Sequence, residues 1–306
     1  MDEANSAELR AGRSFLNSYS SILAATVIYV TVVGAAYIRF GTLPAVTLGA
    51  IAVFILPLIG LITRSKEFLK SSTLIVAVLL TYEALQGVTG FLVKSGNVVS
   101  LAGVDQSIVG SDFTLEIQRA FASPAMTLVT TCFYGLHVFL IMIALGLFWF
   151  KDKEVYRGYT YSLVVTSYSA LLTFIALPTA PPWLAGSAQN LLGVGYSQLP
   201  SLFQQIANAL LSGESDVVAA FPSLHAAYVT LFSIFMFKLG RKYGMASLPI
   251  AGGVYFSIIY LGQHYLVDLV GGIAYAGLAT YAVEKMRAKW NRSRPSSRPT
   301  SSVIPP

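Results

Sequence analysis

An all-α helical bundle embedded in a lipid bilayer is the fold class this sequence predicts, and three observations predict it. Hydrophobic residues make up 55% of the 306 positions and charged residues only 11%, where a soluble domain carries about 25% charged residues. The apolar residues gather into windows of the roughly 20 residues that a helix needs to cross the hydrocarbon layer. Basic residues fall in the loops between those windows in the alternation expected of cytoplasmic segments.

The windows lie near 21–38, 43–62, 73–93, 126–150, 160–178, 223–238, 246–262 and 266–284, which makes eight spans. VVGAAY at 32–37 faintly resembles a signal-peptide cleavage site, but the apolar run before it is long and acids precede it, so it belongs to a first span. With the N-terminus inside, seventeen of the twenty lysines and arginines fall on the cytoplasmic side, and only Arg39, Lys94 and Arg119 stand outside. One missed helix would invert every later loop and scramble that bias. Both termini are therefore expected in the cytoplasm.

Residues 1–20 form a cytoplasmic N-terminal segment, and 21–125 hold N-terminal transmembrane helices followed by an outer interfacial segment, amphipathic over 111–124. Residues 126–285 are expected to form a transmembrane bundle, the segment that holds all three histidines. The remainder, 286–306, rich in Pro, Ser and Arg, is expected to be a disordered basic cytoplasmic tail. Topology signals and this tail account for the net charge of +6 without a nucleic-acid partner. The one cysteine, Cys132, excludes an intrachain disulfide, a cysteine zinc cluster and an iron–sulfur site. No cofactor is expected.

Two of the three histidines stand at the outer ends of apolar segments, in FPSLHAAY (221–228) and GQHYLVD (262–268). PTAPPWLAG (178–186) shares that leaflet, its prolines ending the fifth span and Trp183 lying at interface depth. Each has a bland alternative: a histidine at a helix end snorkels or satisfies a carbonyl, and a Trp anchors the interface. The two histidine words together are harder to explain that way. His264 and Asp268 are four residues apart, so on a helix they share a face and the carboxylate can hydrogen-bond one ring nitrogen. That fixes the tautomer and raises the basicity of the other nitrogen, while His225 is placed to protonate a leaving oxygen. These are the parts that phosphoryl transfer through a phosphohistidine needs.

The residues Pro222, Ser223, His225, His264 and Asp268 resemble, in order and spacing, the P-S-x-H and H-x-x-x-D signatures of the type 2 phosphatidic acid phosphatase superfamily. The flanking words PTAPPW and HYLVDLVGG are similar to those of its inositol phosphorylceramide synthase branch, an inositolphosphotransferase group. The resemblance covers about residues 126–284. It implies that His264 attacks phosphorus, Asp268 orients it, His225 serves as general acid and then base, and Ser223 helps hold the phosphate. Two departures stand out: the phosphatases' Lys and Arg-Pro motif is missing around Ala180-Pro181-Pro182, and Ile258 occupies the place of their third-motif arginine. The missing cations favour the transferase branch.

Phosphoryl transfer still requires electrostatic stabilisation, and Arg119 is the outer cation that precedes a histidine-bearing span. His137, in FYGLHVF, lies about 15 Å inside the fourth span at 1.5 Å per residue. Glu83 and Gln86 sit at similar depth in the third. His137, Glu83 and Gln86 are expected to floor a headgroup pocket, with Trp183 and Arg119 as candidate substrate contacts nearer the interface, unless Glu83 and His137 form a purely structural pair.

The leading expectation is a membrane enzyme that moves a phosphorylated headgroup from a phospholipid donor to a lipid alcohol acceptor at the extracytoplasmic or lumenal face. The same site with water as acceptor would make a lipid phosphate or polyprenyl pyrophosphate phosphatase. A transporter relay is a third reading, weakened by the absence of an inverted repeat. A zinc site of two histidines and Asp268 is a fourth, and the family resemblance argues against it.

Overall fold

The computed structural model describes residues 65, 67–68, 71–72, 74–78, 98–200 and 218–293. The first two windows, most of the third with Glu83 and Gln86, the outer cations Arg39 and Lys94, and tail residues 294–306 lie outside the described residues.

Residues 98–121 fold first as a strand, β1 (Val99–Ser100), and two short helices, α1 (Ala102–Val109) and α2 (Phe113–Phe121). Asp112 caps α2, whose apolar and polar residues segregate onto opposite faces. Long helices follow: α3 (Pro124–Lys151), α4 (Lys153–Ala176), α6 (Leu224–Leu239), α7 (Arg241–Tyr260) and α8 (Leu266–Ser293). The strand β2 (Thr179–Ala180) and the short helix α5 (Leu191–Ser197) lie between α4 and α6. The five long helices coincide with windows four to eight. By length and composition α4 and α8 can each cross a membrane, as can α3 taken as a pair bent by 49° between Pro124–His137 and Phe139–Lys151. The chain is an integral membrane protein. Helix α8 runs through Ser293, past residue 285 where a disordered tail was expected to begin.

Local sequence sets the helix limits. Ser123 accepts the Met126 amide at the start of α3, with Pro124 at the first helical position, where its missing N–H costs nothing. Asp152 both ends α3 and caps α4, its Oδ1 accepting from Glu154 at 2.8 Å and Val155 at 3.1 Å. Joints of one residue make antiparallel hairpins of α3–α4 and α6–α7.

Between helices a single device recurs. Tyr260 meets Thr127 (α7 to α3, 3.0 Å), Tyr228 meets Ser167 (α6 to α4, 3.0 Å), Tyr255 meets Thr230 (α7 to α6, 2.6 Å) and Tyr275 meets Thr173 (α8 to α4, 2.7 Å). In every case the Ser or Thr hydroxyl also donates to the carbonyl four residues earlier in its own helix. A hydroxyl has one proton to give, so Tyr228, Tyr255 and Tyr275 are the donors across their interfaces, while Tyr260 OH also reaches the Phe121 carbonyl at 3.5 Å. Lipid gives helices little hydrophobic reason to associate, and such bonds add about 0.6 kcal/mol each.

The bundle has two unlike ends. At one, Lys238 pairs with Glu284 at 2.8 Å, Arg287 with Glu154, and Arg157 bidentately with Glu67. The Arg157 hydrogen bond holds the Glu67 carboxyl below its ordinary range. The other end carries the histidines. There α8 approaches the start of α6 so closely that a Cβ on Gly272 would stand 2.3 Å from the Ser223 carbonyl oxygen. Because that obstacle is backbone, Gly272→Val is expected to force the helices apart and cost about 1–3 kcal/mol. Tyr255→Phe, which removes one interhelical donor and leaves Thr230 bonded within its helix, is expected to cost only about 0.6 kcal/mol. Reversible unfolding in mixed micelles measures both.

Candidate active site

Three short backbone segments build the histidine end. β2 pairs in parallel with β1, Val99 opposite Thr179 and Ser100 opposite Ala180, and on its other side bridges Ala219. The Thr179 amide donates to the Val218 carbonyl at 2.8 Å, the Ala220 amide donates to the Thr179 carbonyl at 3.2 Å, and the Phe221 amide donates to the Thr179 hydroxyl at 2.7 Å. Thr179 is fully buried. The word PTAPPW is thus the central strand of a small strip that fixes residues 218–221, immediately before α6.

Ser223 caps α6, its Oγ accepting from the Ala226 amide at 3.3 Å, while its own amide donates to the Asp268 carbonyl at 3.0 Å. That bond ties the start of α6 to the first turn of α8. Gly262, at φ 77°, turns the chain out of α7, and a Cβ there would lie 2.4 Å from the Gln189 carbonyl oxygen. The turn places His264 ahead of α8, which begins at Leu266.

His264 Nδ1 lies 3.0 Å from the Ala220 carbonyl oxygen and 3.5 Å from Asp268 Oδ2. The spacing of four residues predicts a carboxylate hydrogen bond on a shared helix face. Instead His264 is outside the helix, and the backbone carbonyl is the nearer partner. Asp268 Oδ2 accepts the Tyr265 amide at 2.8 Å, half of a capping box. A carbonyl only accepts, so Nδ1 carries the proton and Nε2 of the neutral ring presents its lone pair. Nε2 faces His225 Nδ1 at 3.3 Å, which makes His225 the donor of that contact.

His137 belongs to the same cluster. Its ring centroid is 3.9 Å from that of His225, Tyr134 stands 4.4 Å from the same ring, and His137 Nδ1 bonds the Tyr134 carbonyl. His137 stands thirteen residues into α3, about 20 Å of helix. The 16-residue α6 spans only about 24 Å, short of the ~30 Å hydrocarbon core. The imidazoles therefore meet inside the bundle: His137, His264, Asp268 and Ser223 are all buried, and His225 is half-buried.

Around this cluster, Trp183 donates from Nε1 to Gln263 Oε1 at 3.2 Å and from its amide to the Gly262 carbonyl, so it lies on the turn that carries His264. Arg119 is exposed on α2, and its neighbour Gln118 reaches inward instead. The Gln118 side chain donates to the carbonyls of Gln189 and Tyr260 and accepts the Gln189 amide, at 2.8 to 3.0 Å. Asp105 and Tyr265, also unremarked in the sequence, tie β1 and α1 to the same turn. Tyr265 OH meets Ser100 and Ser187, and Asp105 Oδ1 accepts the Val267 amide. Among the described residues, every other lysine and arginine sits at the opposite end of the bundle, and no group of three or more His, Cys or acidic side chains is placed to share a metal ion.

These features define a membrane-embedded helical protein with a His–His–Asp site recessed at one end. The chain belongs to the PAP2 superfamily, whose family profile matches residues 100–282. It is 28% identical over 194 residues to an inositol phosphorylceramide synthase of Candida albicans, covering 58% of this chain and 40% of that protein. It is 27% identical over 163 residues to a phosphoinositol dihydroceramide synthase of Bacteroides thetaiotaomicron, covering 48% of this chain and 53% of that one. With the inositol phosphorylceramide synthase catalytic subunit of Schizosaccharomyces pombe the identity is 28% over 130 residues, 38% of this chain and 30% of that one. The chain thus spans about half or less of the length of the curated relatives it matches. No solved structure matches it.

Thr179→Val keeps the shape of the strip and removes the acceptor of the partly buried Phe221 amide. The expected cost is about 1–3 kcal/mol, with Thr179→Ser close to wild type, both measured by thermal unfolding in detergent.

Proposed function

We propose that this chain is a lipid phosphotransferase that moves a phosphoinositol-like headgroup from a phospholipid to a lipid alcohol through a phosphohistidine on His264. The observation that carries the proposal is the Nδ1 contact to the Ala220 carbonyl, which leaves Nε2 as the nucleophilic nitrogen and points it at His225. Nε2 attacks phosphorus, the bond from phosphorus to the diacylglycerol oxygen breaks, and His225 gives that oxygen its proton. In the second half-reaction His225 takes the proton of the acceptor hydroxyl, whose oxygen attacks phosphorus and releases His264. Asp268 steadies the turn that holds His264 and balances the positive charge of the phosphorylated imidazole. His137, against His225, holds that ring at the floor of the headgroup pocket, with Ser223 and Trp183 at its sides. Arg119, exposed on α2, offers a cation to a lipid phosphate at the surface above the site, and Glu83 lies outside the described residues.

The proposal includes eight spans, cytoplasmic termini and a site on the extracytoplasmic or lumenal side, supported by the gathering of basic residues at the end away from the histidines. The named activities of the three relatives support phosphoinositol as the transferred group and a ceramide-type or other lipid alcohol as acceptor. Recession of the imidazoles inside the bundle favours a lipid acceptor over bulk water.

The test is lipid mass spectrometry of liposomes carrying the purified protein, with phosphatidylinositol as donor, ceramide and diacylglycerol as acceptors, and phosphatidate alongside. A new phosphoinositol lipid is expected, unaffected by chelator. His264→Ala should abolish it and His225→Ala should lower it by about 10²–10⁴-fold. Dephosphorylated product without transfer would assign the site to a phosphatase, and turnover surviving in His264→Ala would reject the phosphohistidine.

A further inference from the structure

Asp105 occupies a place that the three imidazoles do not account for. It lies on α1, is 3% exposed, and its Oδ1 accepts the amide of Val267 at 2.9 Å, 162 residues further along the chain. Val267 is the second residue of α8. The first turn of that helix is therefore held twice: Asp268 takes the Tyr265 amide from within, and Asp105 takes the Val267 amide from outside. Both amides lie in the five-residue run from His264 to Asp268.

Helix N-termini are ordinarily capped by the residue that precedes them or by water. A carboxylate buried from a remote helix is a costly substitute, since burying its charge is unfavourable. Asp105 Oδ2 has no hydrogen-bond partner among the described residues, which leaves the Val267 amide as the one bond this side chain makes there. The same run is held by Tyr265 OH against Ser100 of β1 and against Ser187. Residues 98–121 thus grip the His264 turn at its phenol and at its helix start.

We propose that Asp105 is a positioning residue for the reacting pair: by fixing the Val267 amide it sets the rotation of the first turn of α8, and so the placing of Asp268 and of His264 Nε2 against His225. This rests on the reading of His264 as the reacting imidazole. Asp105 touches neither substrate nor His264 and acts through the helix start alone, so an acceptor atom at its position is what matters. Asn supplies that atom and Ala does not.

The experiment compares wild type, Asp105→Asn, Asp105→Ala and His264→Ala in the liposome transfer assay and in hydrogen-exchange mass spectrometry of peptides covering 262–270. Asp105→Ala is expected to lower kcat per folded molecule by about 10–100-fold with KM within about twofold, and to speed exchange in that peptide. Asp105→Asn should restore both to within about threefold of wild type. Asp105→Ala that is merely less stable, with unchanged kcat per folded molecule and unchanged exchange, would overturn the proposal. So would an Asn variant as impaired as Ala. Turnover persisting in His264→Ala would instead fail the reading of His264, and the exchange data would still report whether Asp105 fixes the turn.

Discussion

Everything at the histidine end depends on one hydrogen bond, from the His264 imidazole to the carbonyl of Ala220. It joins two segments that lie 44 residues apart, and it decides which ring nitrogen is available for chemistry. A backbone carbonyl is a fixed acceptor only if its own segment is fixed. Residues 218–221 are irregular, with Val218 and Ala220 buried, and within a membrane protein irregular backbone persists only where protein partners satisfy it. β2 supplies those partners on one side and is itself held by β1 on the other. The strip, the Thr179 hydroxyl and the Gly262 turn all serve to keep a carbonyl and an imidazole at 3.0 Å.

The helices beneath obey a different economy. Apolar surface holds them in the bilayer without choosing their neighbours, so choice falls to close-packed glycine at Gly272 and to the tyrosine donors that cross from helix to helix. Because Ser167, Thr173 and Thr230 already give their protons within their own helices, the bonds that reach them run from the tyrosine. Ion pairs among Glu154, Lys238, Glu284 and Arg287 close the far end, where long side chains reach water. A rigid lower bundle and a stitched upper strip leave the imidazoles between them, in a site whose recession comes from the shortness of α6.

Hydropathy placed the five long helices of the described region, because helix formation in lipid is a local property of some twenty successive residues. The words PSLH and HYLVD marked His225, His264 and Asp268, and YGLH marked His137, all of which the structure brings to one end. Long-range pairing was invisible. Helical periodicity suggested that Asp268 would hold His264, whereas Ala220 is nearer, since His264 stands before the helix in a turn closed by Ile258 and Gly262. Arg119 drew attention for its charge, while the inward-reaching residue is Gln118.

By itself, then, the sequence determined that the chain is a helical membrane protein, where its long helices run, and which residue types could carry phosphate chemistry. Tertiary structure alone decided that His137 meets His225, that Trp183 lies on the His264 turn, that Asp105 caps α8, and which nitrogen of His264 faces His225. The physical reason is range: hydropathy and capping act over a few residues, whereas each of these contacts closes a loop of about 40 to 160 residues. The partners of His264 and Asp105 are a backbone carbonyl and a backbone amide, which no sequence pattern singles out.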